Sequence, residues 1–162
     1  SFLFSARNLR TAPVEDMRQA ILDAVQSGRL ADLRMAIELN ELKPDIAAAP
    51  NEDPIKTFER HSGDGTGAEI LRVLGLLFEA PPAILPLGRD LENNRLYVWP
   101  GFAEKPLAEW RDSDKALAEQ FGSAADLARQ QSEGRYLGWR LIIGADGTWH
   151  AFRKFDAPTN PK

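Results

Sequence analysis

The chain has 162 residues, 43% hydrophobic and 27% charged, the balance of an ordinary globular domain. This excludes disorder as the main state, and no apolar run approaches the roughly 18 residues that a spanning helix needs. Lys and Arg number 20 against 24 Asp and Glu, a formal charge of −4. The basic residues are scattered: Arg7 and Arg10, Arg29 and Arg34, and Arg129 and Arg135 all sit in mixed-sign segments. With no basic stripe to meet phosphates, nucleic acid is not an expected partner. The absence of cysteine excludes a disulfide framework, Cys-ligated zinc and thiol catalysis, and leaves the compartment open.

Residues 1–5 are too short, and lack the basic start, to be a signal peptide. They fit the mature end left after one is removed, or equally a trimmed boundary. A helix is expected over 12–27, where Val14, Met17, Ile21 and Val25 form one apolar stripe. Thr11 suits its N-cap, Pro13 its first turn, Glu15 and Asp16 its positive end, and Gly28 a left-handed stop. A second helix is expected over 29–42, with Leu30, Leu33 and Ile37 inward, Met35, Leu39 and Leu42 flanking, and Pro44 ending it. No second copy of this helical hairpin follows at a period of roughly 30 to 50 residues, so a solenoid is not expected.

Residues 44–54 hold three prolines and little to bury, which reads as a linker or surface loop. The expected division is therefore 1–49, a helical hairpin with its linker, and 50–162, the body, unless both form one compact domain. Residues 55–59 are ambiguous. The loop His61-Ser62-Gly63-Asp64-Gly65-Thr66-Gly67 then leads into a helix over 68–80. Thr66 and Glu69 have the spacing of a capping box. Ile70, Val73, Leu74, Leu77 and Phe78, widened by Leu71 and Leu76, mark this helix as central, and Pro81-Pro82 ends it.

Strands are expected over 83–87 and 95–99, connected through 91–94, with a turn at Pro100-Gly101. Two helices follow, one from Asp112 or Ser113 to about Phe121, the next from Ser123 with Asp126 as its partner. Strands over 135–143 and 148–155 flank Gly144-Ala145-Asp146-Gly147, a strong hairpin signal. A four-residue loop pairs Ile142 with Trp149, Leu141 with His150 and Trp139 with Phe152. A three-residue loop with a bulge slips that register by one. The expected fold is α+β: an N-terminal helical hairpin, then helices packed on a small antiparallel sheet ending in a C-terminal β-hairpin.

Candidate sites are weak. Backbone amides of the Gly-rich loop before a helix suit an anion. Yet the loop lacks a P-loop lysine, no convincing strand precedes it, Asp64 opposes an anion, and its acids do not fit a calcium loop. It reads first as a capped helix start, in which Thr66→Ala would cost about 1 kcal/mol. Ser62, Asp64 and Thr66 remain its ligand candidates. His61 and His150 are the two histidines. Either could serve a hydrolase with Asp64 or a nearby hydroxyl such as Ser62 or Thr148, although strand neighbours point to opposite faces. For His150, among Trp139, Trp149 and Phe152, a half-buried structural histidine is the first reading. A two-histidine metal site with Asp64 is conceivable, without support from spacing. Tyr97, Trp99, Trp110, Trp139 and Trp149 read mainly as core, with Trp99 also a candidate groove residue.

Four blocks, Ser62-Gly63-Asp64-Gly65-Thr66-Gly67-Ala68-Glu69-Ile70-Leu71, Tyr97-Val98-Trp99-Pro100-Gly101-Phe102-Ala103, Lys105-Pro106-Leu107 and Gly144-Ala145-Asp146-Gly147-Thr148-Trp149, resemble a family of small alphaproteobacterial proteins, usually exported and of uncharacterised function. The blocks cover about the last two thirds of the chain. The resemblance implies an exported, periplasmic or secreted α+β domain and brings no activity, cofactor or catalytic residue. Gly101 departs from it, standing where an aromatic is expected. The leading expectation is a non-catalytic module that binds a partner protein or an envelope ligand, with no cofactor and no metal. The alternative is a small hydrolase using Asp64 with His61 or His150.

Overall fold

The computed structural model describes residues 11–86 and 94–154. Expectations for residues 1–5, Arg7, Arg10, Leu87, 91–93 and Phe155 lie outside these residues. Helix α1 (Ala12–Ser27) buries Val14, Met17, Ile21 and Ala24. It ends at Gly28, whose φ of 73° lets its N–H reach the Ala24 and Val25 carbonyls. The second helix is shorter than expected. A 3₁₀ turn (Leu30–Asp32) leads into α2 (Leu33–Glu38). Leu30, Leu33 and Ile37 are buried, while Met35, Leu39 and Leu42 are 73%, 65% and 81% exposed. The helix stops because Asn40 is taken elsewhere: its amide donates to the Trp149 carbonyl at 2.7 Å and accepts from the Trp149 N–H at 3.0 Å.

The proline-rich segment continues this contact. Asp45 N–H donates to the His150 carbonyl at 2.8 Å, and Phe152 N–H donates to the Asp45 carbonyl at 2.9 Å. Pro44 and Ile46 are buried. The segment thus covers backbone of an edge strand that would otherwise be open. Helix α3 (Pro54–His61) occupies the ambiguous stretch. Pro54 starts it, and the Asp53 carboxylate accepts from Ile55 N–H at 3.1 Å.

Helix α4 (Ala68–Leu77) is central, with Ile70, Leu74 and Leu77 fully buried. Strands β1 (Ala83–Pro86), β2 (Arg95–Trp99), β3 (Trp139–Gly144) and β4 (Trp149–Lys154) form an antiparallel sheet in chain order. The fold is α+β and ends in a C-terminal hairpin. β3 starts at Trp139 rather than residue 135, because the Tyr136 hydroxyl folds back to donate to the Trp139 carbonyl at 2.6 Å. The hairpin follows the shorter-loop register at its tip, with Gly144 N–H on the Thr148 carbonyl and Ile143 opposite Trp149. A second irregularity at His150 then sets Ile142 opposite Ala151 and Leu141 opposite Phe152. The His150 carbonyl, released from the ladder, is the one Asp45 takes.

β2 and β3 present Tyr97, Trp99, Leu141 and Ile143, with Tyr97 opposite Ile143 and Trp99 opposite Leu141. α1 packs against α4 and β3, and buried residues from both ends of the chain join one cluster. Tyr97, Trp99, Trp110, Trp139 and Trp149 are all buried. Helices α5 (Asp112–Phe121) and α6 (Ala124–Glu133) follow, the latter capped by Ser123, whose hydroxyl accepts from Asp126 N–H at 3.1 Å. Gly101 now has a physical reason. A Cβ there would lie 2.5 Å from the Pro81 carbonyl and 2.8 Å from Ala83 N, so no aromatic fits. No described helix is long and apolar enough to cross a membrane.

Candidate functional site

The Gly-rich loop is organised by its own side chains. Ser62 is buried and its hydroxyl donates to the Asp64 carboxylate, which also accepts from Thr66 N–H at 3.0 Å. These contacts, the Ser62 hydroxyl first and then the Thr66 amide, hold the Asp64 carboxyl down at about 2. Glu69 does not close a capping box with Thr66. Its carboxylate reaches back to Gly63 N–H at 2.6 Å, and the N-cap is Gly67. The reason is a close approach. Gly67 has a φ of 93°, and a Cβ on it would fall 2.5 Å from Leu30 Cδ2. The helical hairpin therefore sets where α4 begins. Thr66 Oγ1 keeps only a long contact, 3.3 Å, from Ala68 N–H.

The structure thus brings Ser62, Asp64 and Thr66 together as one turn. It places Trp99 elsewhere, edge-on to Phe78 at 5.1 Å on the wall of a different groove. His150 is exposed rather than half-buried, at the irregularity in β4. Neither histidine ring hydrogen-bonds to Asp64 or to a serine among the described residues. His61 Nε2 lies 3.3 Å from the Ala47 carbonyl, and its ring meets Trp139 edge-on at 6.4 Å. No group of three or more His, Asp or Glu side chains gathers as a metal set among the described residues.

Two clefts compete as a binding site. The first, about 270 Å³, is lined by His61, Glu69, Arg72, Trp139, Arg153 and Lys154, with the Gly122 break between α5 and α6. Its polar groups are already committed. Arg72 donates to the Gln120 carbonyl at 2.8 Å, Arg153 pairs with Asp45 at 3.2 Å, Lys154 pairs with Asp126, and Glu69 holds Gly63. A ligand would have to displace these partners, so this cleft knits α4, β4 and the loops together.

The second cleft, about 480 Å³, lies between α5, α6 and the 3₁₀ turn Leu107–Glu109. Leu107 N–H donates to the Gly134 carbonyl at 3.0 Å and fixes one side. Trp110 is locked by its indole N–H on the Phe102 carbonyl at 2.9 Å and by an edge-on contact with the Phe102 ring at 4.7 Å. Leu107, Ala118 and Leu127 add apolar wall, and Lys115 and Glu119, one turn apart on α5, set opposite charges on the lining. Gln130, 4% exposed, also lines it. Its carbonyl oxygen accepts from Leu137 N–H at 3.1 Å. That bond fixes the amide orientation and leaves Nε2 with no acceptor among the described residues. Its size, and apolar wall interspersed with a few polar groups, are what a small-ligand pocket requires.

Sequence reasoning passed over this cleft. Its residues carry no reactive chemistry, and the one signal available was the aromatic Trp110 ahead of two polar helices. Compared with family models, curated proteins and solved structures, the chain finds no match.

Proposed function

We propose that this chain is an exported domain that binds a small ligand without transforming it, and that the cleft between α5 and α6 holds that ligand. The observation that carries the reading is the preformed cleft, walled on its apolar side by Leu107, Trp110, Ala118 and Leu127, with a Gln130 donor that no protein acceptor takes on its lining. The donor has no protein acceptor among the described residues, so a ligand acceptor would replace water on it rather than compete with the fold. Among the described residues, the His61 ring meets the Ala47 carbonyl and not Asp64 or a serine, so the hydrolase reading gains no support from geometry. Export rests on the resemblance of the four sequence blocks and is tested by fractionating cells that express the full-length gene product.

Binding is tested by a thermal-shift screen of fragments and cell-envelope compounds, with hits mapped by amide chemical shifts. A ligand specific to the folded state raises the melting temperature with concentration. Hits whose shifts centre on Trp110, Leu127 and Gln130 support the reading. Hits that map only to other surfaces, or ester turnover abolished by Asp64→Asn, overturn it.

A further inference from the structure

We infer that the α5–α6 cleft selects an uncharged, ring-bearing molecule that presents a carbonyl or ether oxygen to Gln130 Nε2. This inference rests on the binding reading above and adds the ligand's chemistry. Three observations define that chemistry. The body must be apolar and of ring size, because Trp110, Leu107, Ala118 and Leu127 line a cleft of about 480 Å³. A neutral ligand is expected, because the charged residues lining the cleft, Lys115, a cation, and Glu119, a carboxylate, are both exposed and set opposite signs on it, so the lining favours neither charge. A net charge of either sign would therefore be attracted by one of them and repelled by the other.

The third observation fixes the polar group. Gln130 gives its oxygen to Leu137 N–H at 3.1 Å, so the amide cannot turn to offer an acceptor without breaking that bond. What remains is two N–H donors of one primary amide. Trp110 has no donor to offer, since its indole N–H is spent on the Phe102 and Lys105 carbonyls. Gln130 is the buried polar side chain of the lining and offers only donors, whereas Glu119 and Gln131, which can accept, stand exposed to water. A site built to hydrogen-bond a polar atom rejects the analogue lacking it more strongly than it rejects a small change in apolar shape.

The experiment uses two probes of like size, acetanilide, which carries a carbonyl, and ethylbenzene, which does not. Both are titrated into the intact chain while the Gln130 side-chain amide and Trp110 indole resonances are followed. Acetanilide is expected to shift both and to bind at least tenfold more tightly than ethylbenzene. In Gln130→Glu the acceptor for Leu137 N–H is kept and the donor is removed, so acetanilide should lose its tenfold advantage while ethylbenzene changes little. The wild-type Gln130 amide shifts give an independent reading should that variant unfold. Equal affinity of the two probes at the cleft overturns the inference and leaves the binding reading standing. A charged analogue, benzoate or benzylammonium, binding as tightly as acetanilide also overturns it. If no probe shifts any cleft resonance at millimolar concentration, the inference and the binding reading fall together.

Discussion

Asn40 offers a direct test of how the N-terminal segment is tied to the sheet. Its side-chain amide makes two bonds to one backbone unit, at 2.7 Å to the Trp149 carbonyl and 3.0 Å from the Trp149 N–H. Asn40→Ala removes both partners at once. An unsatisfied buried group costs about 1–3 kcal/mol, and water reaches this partly buried site, so the two together should cost about 2 kcal/mol. At this chain length that corresponds to a fall of about 4–8 °C in melting temperature. Urea unfolding should show a lower midpoint with an unchanged slope, because the exposed area on unfolding is the same. Hydrogen exchange at the Trp149 amide should accelerate selectively. Asn40→Asp sharpens the test: it keeps an acceptor for the N–H but turns a carboxylate oxygen toward the carbonyl. It should destabilise at least as much as alanine at pH 7 and recover below about pH 4, as the group protonates. A loss under about 0.5 kcal/mol in Asn40→Ala, with Trp149 protection intact, would refute the clamp.

Two further predictions concern backbone contacts and the Gly-rich loop. Gly101→Ala sets a Cβ 2.5 Å from the Pro81 carbonyl and 2.8 Å from Ala83 N, both backbone atoms that cannot swing aside. It should cost about 3 kcal/mol, the upper end of overpacking effects, by denaturant unfolding; a near-neutral result would mean the 81–83 segment yields freely. In the loop, Thr66→Ala should cost only a few tenths of a kcal/mol rather than the roughly 1 kcal/mol of a lost cap, because Gly67 is the cap residue. The Asp64 carboxyl is held at about 2 against an ordinary 3.8, so its contribution is complete above about pH 4 and is lost as pH falls toward 2. Glu52, held at about 2 chiefly by Arg60, acts with the same sign. Asp64→Asn should therefore flatten the acid limb of a stability–pH profile, and an unchanged limb would show that the loop contacts do not hold the carboxylate.

The helices and strands were legible wherever periodicity and a stop signal agreed. α1 has a four-residue apolar stripe and a glycine that must turn left-handed, and both its ends fall where expected. β2 is a run of β-favouring residues bounded by Pro100. Propensity failed where a distant partner competed for a local group. Residues 39–42 continue a helical pattern, yet Asn40 bonds to Trp149, a residue 109 positions away. Thr66 and Glu69 have capping-box spacing, yet Leu30 of the preceding hairpin fixes the helix start at Gly67. The hairpin register failed for the same reason, since His150 leaves the ladder to give its carbonyl to Asp45.

The site was less legible because reactive residue types drew attention to places that folding had already used. Ser62, Asp64, Thr66 and Glu69 look like a ligand loop in sequence, and in space they satisfy one another. The cations around His61 are likewise matched by Asp45, Asp126 and the Gln120 carbonyl. A group engaged within the fold must lose one partner to gain another, so its net gain on binding a ligand is small. The converse holds for Gln130. Its position among polar residues of α6 gives no sequence signal, because the feature that matters is a donor left over after Leu137 N–H has taken the oxygen. That surplus depends on the turn at Gly134 bringing residue 137 back onto residue 130. The proposed cleft therefore differs from the Gly-rich loop and the His61 cleft in unspent hydrogen-bonding capacity beside apolar wall, not in the density of reactive side chains.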